Sequence, residues 1–121
     1  MKTIKVAIYR VGMEMEILDI KKKLKEYQGI VGGLITEATL ADNLALICND
    51  NGINEGLMVN RTYRFFNGEL GVAFGDFFVC RVEGADYVGL TDEDIQRLPR
   101  LIDGILESLV KIYRIARGLD Q

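Results

Sequence analysis

At 121 residues, with 49% hydrophobic and 27% charged side chains and a single proline, the chain has the balance of one globular domain that holds a core without disulfides or metal. A formal net charge of −3 argues against nucleic acid as the partner, because phosphate binding draws on a basic surplus. Histidine is absent and the two cysteines, Cys48 and Cys80, stand far apart, which removes the commonest general base, the commonest metal ligand and every paired-thiol motif.

Thr3 to Tyr9 alternates, with Ile4, Val6 and Ile8 on one face, and predicts a strand. Met13 to Ile17 alternates again across Gly12, with Glu14 and Glu16 outward, and predicts a second strand. Asp19 has the chemistry of a helix N-cap, and Ile20, Leu24 and Tyr27 follow at helical spacing. Lys21, Lys22, Lys23 and Lys25 cover the remaining surface, as a solvated face or as an anion-binding patch. Gly29 sits near the expected helix end, and Gly32-Gly33 marks a definite break. A phosphate loop would need those glycines before a helix rather than after one.

Leu34 to Leu40 reads as a strand, Ala41-Asp42-Asn43 as a turn, and Leu44 to Cys48 as a strand covered on both faces. Asn49-Asp50-Asn51-Gly52 is the strongest turn signal in the chain. An extended segment is expected through Leu57, Met58 and Val59, then an irregular loop leading into a strand from Asp76 to Val82. Tyr87 to Leu90 is expected to close the sheet.

Thr91-Asp92-Glu93-Asp94 has the form of a capping box, which explains the three acids better than metal binding does. Pro99 suits the first position of a helix, so a short helix from Asp92, a bend, and a longer helix from Pro99 to about Arg117 are expected. In that second helix Leu101, Ile102, Ile105, Leu106, Leu109, Val110, Tyr113 and Ala116 form a broad apolar stripe, and Gly118 is the stop. Strands, one helix, more strands and then helices describe an α+β fold: a mainly antiparallel sheet with one N-terminal helix and a C-terminal helical segment packed on one face. With no internal repeat and no linker, one domain is expected over residues 1–121.

No catalytic set is visible. Ser108, the only serine, lies mid-helix and has no histidine to act as its base. The cysteines read as small core residues, with a reactive thiol as the alternative. No metal site and no cofactor is predicted. The best ligand candidate is Asn60, Arg61, Tyr63 and Arg64, where arginine forks suit phosphate and neighbouring aromatics suit a stacked ring; an ordinary surface loop is the plainer reading. The apolar stripe either packs on the sheet or forms a self-association seam through Leu101, Ile105, Leu109 and Tyr113. No apolar run approaches the roughly 20 residues that a bilayer requires, and Met1 to Lys5 lacks an apolar leader, so a cytoplasmic protein with no membrane partner is expected.

Gly56-Leu57-Met58-Val59-Asn60-Arg61, Gly75-Asp76-Phe77-Phe78-Val79 and the run from Tyr87 to Ile95, with the break at Val31-Gly32-Gly33, resemble the short proteins called domain of unknown function 3846. The resemblance covers Lys2 to Leu98, which implies a family-like core over residues 1–98 with the C-terminal helix, residues 99–121, as an extension; Met58-Val59 stand where members of that family tend to carry prolines. It implies a small protein of bacteria, phages and mobile elements, sometimes encoded near antirestriction genes, and it brings no activity and no catalytic residues, with Asn60 and Arg61 as matching polar positions. The expectation is a non-enzymatic binding or accessory protein that forms a homo-oligomer. The alternatives are a binder of a nucleotide or other phosphate-bearing molecule, and an antirestriction protein whose partner is a host defence enzyme.

Overall fold

The structure, a computed structural model, describes residues 2–118. Eight strands and three helices are arranged as a six-stranded antiparallel sheet, a separate two-stranded ribbon and helices on both sides. The large sheet runs β2 (Glu16–Lys21), β1 (Thr3–Tyr9), β7 (Phe77–Glu83), β4 (Leu44–Asn49), β3 (Ile35–Ala41), and the short β8 (Asp86–Val88) pairs with the end of β7. Every pairing in it is antiparallel, as the α+β reading requires.

The central strands carry two cores because successive side chains point to opposite faces. Leu44 and Leu46 of β4, with Phe77 and Val79 of β7, meet Leu98 and Ile102 on one side. Ala45 and Ile47, with Phe78 and Cys80, meet Tyr27 and Val31 on the other. The expectation of helices on one face is therefore corrected. Helix α1 (Leu24–Val31) covers one face, while α2 (Asp92–Leu101) and the ribbon cover the opposite one.

The second strand is also displaced from the expected Met13–Ile17. β2 pairs with β1 from Thr3 to Ile8, setting Leu18 opposite Val6 and Ile20 opposite Ile4, and of its residues only Ile20 is buried. Met13 is left in a turn whose amide bonds to the Arg10 carbonyl at 3.0 Å. Asp19 is consequently a mid-strand residue and not a cap. Helix α1 starts without a side-chain cap, and Gly29 lies inside it. Its end is at Gly32, where φ of +79° is the left-handed conformation that glycine adopts without penalty.

The irregular loop expected from Asn60 is instead a ribbon, β5 (Val59–Arg64) with β6 (Leu70–Phe74). Tyr63 lies across Gly71; a Cβ there would sit 2.4 Å from the tyrosine ring, so this close approach requires glycine. The capping box forms as expected: the Asp94 amide donates to Thr91 Oγ1 at 3.1 Å, and the Thr91 amide donates to Asp94 Oδ2 at 3.0 Å. Pro99 does not open a second helix. It lies in the last turns of α2, and the bend falls at Ile102 to Gly104, where Ile102 turns extended and bridges to Tyr63. The last helix, α3, spans Ile105–Ala116. Among the described residues no helix is long and apolar enough to cross a membrane.

Candidate functional site

Of the two regions singled out from sequence, Asn60–Arg64 is part of β5 and the apolar stripe is carried by α3, which packs against β5. Asn60, Arg61 and Tyr63 are buried and only Arg64 is exposed. Asn60 Nδ2 donates to the carbonyls of Tyr9 at 2.9 Å and Gly75 at 2.8 Å, tying the end of β1 to the turn before β7. Arg61 donates to Asn60 Oδ1 at 2.7 Å and to the Met13 carbonyl, and its guanidinium carbon lies 5.6 Å from the centre of the Tyr9 ring. Burial pulls the Arg61 pKa down, against the charges of Tyr9 and Glu14. Tyr63 packs edge-on against Phe65 within the core. The strand thus brings Asn60 and Arg61 together as a knot that pins the loop after β1. The Asn60 amide and the two terminal guanidinium nitrogens meet protein oxygens, while Arg61 Nε is buried without a hydrogen-bond partner among the described residues.

Thr62, which the sequence reading passed over, carries the junction with α3. Its amide donates to Ser108 Oγ at 3.0 Å, its hydroxyl donates to Asp103 Oδ2, and its carbonyl accepts from the Asp103 amide at 3.0 Å. Lys111 Nζ reaches the same Asp103 oxygen at 2.9 Å. Burial raises the Asp103 pKa, but Thr62, Lys111 and the nearby Arg64 outweigh it and hold that carboxyl below the usual range. Ser108 is the one residue of α3 that is buried among those described. A helix whose inward face is a serine, a lysine and half-buried Ile105 and Ile112 is docked by polar contacts as much as by apolar ones.

This docking turns the apolar stripe outward. At about 100° per residue, Leu106, Leu109, Val110 and Tyr113 lie on the side of α3 away from Ser108. They are 76%, 51%, 50% and 58% exposed. The expectation that the stripe packs on the sheet is corrected for these residues. Of the four seam candidates, Leu109 and Tyr113 share the outward face, Ile105 is half-buried at the start of α3, and Leu101 belongs to α2 and packs against the core. Leu106 and Val110 complete the face and were part of the stripe read from sequence. A shallow hollow runs along it beside Leu109, Val110, Tyr113 and Arg114.

The thiols are quiet. Burial, then the charge of Glu37, pushes Cys80 up to about 12; burial, then Asp50, raises Cys48. Asp94 is 2% exposed and held by Thr91 and Arg81, the latter at 2.9 Å.

A family model described as Domain of unknown function (DUF3846) matches residues 4–103. The matched stretch includes the Asn60–Arg61 knot and ends just before α3, which begins at Ile105. No curated protein and no solved structure matches the chain.

Proposed function

The chain belongs to the DUF3846 family, and from that premise we propose that it is a non-enzymatic binding protein, an accessory protein of the mobile-element kind, that works as a homodimer paired through α3. One observation carries this reading: four large apolar side chains stand half or more exposed on a single helix face. The largest apolar patch on a protein surface is often functional, and this one is confined to a single helix.

The occupant proposed is a second copy. Glu107 lies in the first turn of α3, with Arg114 and Arg117 at its end. Antiparallel pairing about a two-fold axis near Val110 sets Leu106 against Tyr113 of the other copy and brings Glu107 toward the opposite Arg114. It also aligns the two helix dipoles favourably. The face offers roughly 400 Å² of apolar area per protomer, about half of what a standard stable interface uses per partner. The dimer is therefore reversible, with a dissociation constant on the order of tens of micromolar.

Light scattering across a dilution series is the test. The mass is expected to rise with concentration from the 13.6 kDa of one chain toward twice that value. A mass fixed at one chain up to several hundred micromolar, where roughly this affinity would fill the dimer, contradicts the proposal.

A further inference from the structure

Two lysines of the run left unexplained by the homodimer, Lys22 and Lys23, line a separate cleft on the α1 face of the sheet. A cavity of about 310 Å³ opens there, lined by Lys22, Lys23, Tyr27, Glu37, Asp86 and Tyr87. It lies at the N-terminal end of α1, where the first amides of a helix have no partners within the helix. α1 has no side-chain cap, and the bonds made at its start are those of Glu26 and Tyr27 back to the Lys23 carbonyl. The amides of Leu24 and Lys25 make no hydrogen bond among the described residues.

A second observation points into the same space. Tyr27 is 6% exposed, packed against Phe78 and Tyr87, and lines the cavity; its hydroxyl makes no hydrogen bond among the described residues. Helical side chains lean toward the N-terminus of their helix, which carries the Tyr27 ring toward those free amides. Each of the two carboxylates at the rim has a partner, and only that of Asp86 is a cation; Glu37 keeps its negative charge. Asp86 is paired with Lys22 at 2.7 Å, and Glu37 accepts from the Tyr87 hydroxyl at 3.0 Å. The groups at the cleft without a protein partner can all donate: the exposed Lys23 ammonium, the Leu24 and Lys25 amides, and the Tyr27 hydroxyl, which can also accept.

We infer that this cleft binds the phosphate group of a small phosphorylated molecule, with Lys23, the Tyr27 hydroxyl and the Leu24 and Lys25 amides as its donors. A helix start supplies both oriented N–H groups and positive potential to an anion. The volume leaves room for a small organic group beside the phosphate, and the edge of Tyr87 gives it an apolar wall. The site is remote from the α3 face in sequence.

The test is titration of inorganic phosphate into the ¹⁵N-labelled full chain at constant ionic strength, with methyl phosphate and acetate as parallel arms. Saturable shifts of the Leu24 and Lys25 amides are expected with both phosphates below tens of millimolar, and much weaker ones with acetate. Lys23→Ala is expected to weaken binding about tenfold and Tyr27→Phe, which keeps the ring, about threefold. The same spectra report whether each variant is folded. Absence of saturable shifts at those two amides, equal binding of acetate, or indifference to both substitutions overturns the assignment.

Discussion

Replacing Asp94 by alanine tests whether the capping box holds the base of the helical segment. The carboxylate accepts the Thr91 amide at 3.0 Å, pairs with Arg81 at 2.9 Å and is almost wholly buried. Loss of a capping contact costs about 1 kcal/mol, loss of negative charge in the first turn roughly 0.5 kcal/mol, and a buried amide left without its acceptor about 1 kcal/mol more. A destabilisation of about 2–3 kcal/mol follows, or a fall in Tm of roughly 10 °C for a domain of this size. Burial alone raises the carboxyl pKa, but Thr91 and Arg81 more than reverse this, so the folded value lies below the ordinary one. A carboxyl with a depressed folded pKa stabilises the fold above its unfolded value, about 3.9, and loses that contribution as pH falls through the folded value. Urea unfolding of both proteins at several pH values is the assay. The gap between them should be constant from about pH 7 to pH 5 and narrow below about pH 4. A gap under about 0.5 kcal/mol at neutral pH, or one that stays unchanged to about pH 3, would refute the reasoning.

Three further outcomes are expected. Arg61→Ala should destabilise by about 3–5 kcal/mol, since it strands Asn60 Oδ1 and the Met13 carbonyl and opens a void under Tyr9; Arg61→Met, which restores the volume, should recover at least about 1 kcal/mol in denaturant unfolding. Gly71→Ala should cost about 2–4 kcal/mol, because the new methyl meets the Tyr63 ring; a neutral result in thermal denaturation would show that the ribbon yields there. Cys80 should resist a thiol reagent near pH 8 in the native protein and react at once when unfolded, its pKa being pushed up to about 12 by burial.

Where polarity and burial agreed, the elements were legible. β1 was read to the residue, and the both-face burial of β4 followed from its unbroken apolar run. Thr91 and Asp94 disclosed their box through spacing alone. β5 was hidden because it buries the polar Asn60, Arg61 and Thr62, whose partners lie mostly far away in sequence; no local pattern separates them from a loop. The same polarity makes Arg61 resemble a ligand contact in the sequence, while in the fold its guanidinium meets Asn60 Oδ1 and the Met13 carbonyl. β2 was misplaced because its exposed edge carries Leu18 and Ile17 beside charges, and only pairing with β1 fixes the register. The stripe of α3 was legible as a stripe, but not its direction: that depends on Thr62 meeting Ser108, a contact between residues far apart in sequence.

Sedimentation equilibrium of the wild-type chain beside Leu109→Glu tests the central claim most directly. Leu109 touches water and not the core, so the substitution should leave the Tm within about 2 °C. A reversible monomer–dimer equilibrium in the wild type, weakened at least about tenfold in the variant, is the predicted result. A wild-type chain that stays monomeric throughout, or a dimer that Leu109→Glu leaves intact, would contradict it.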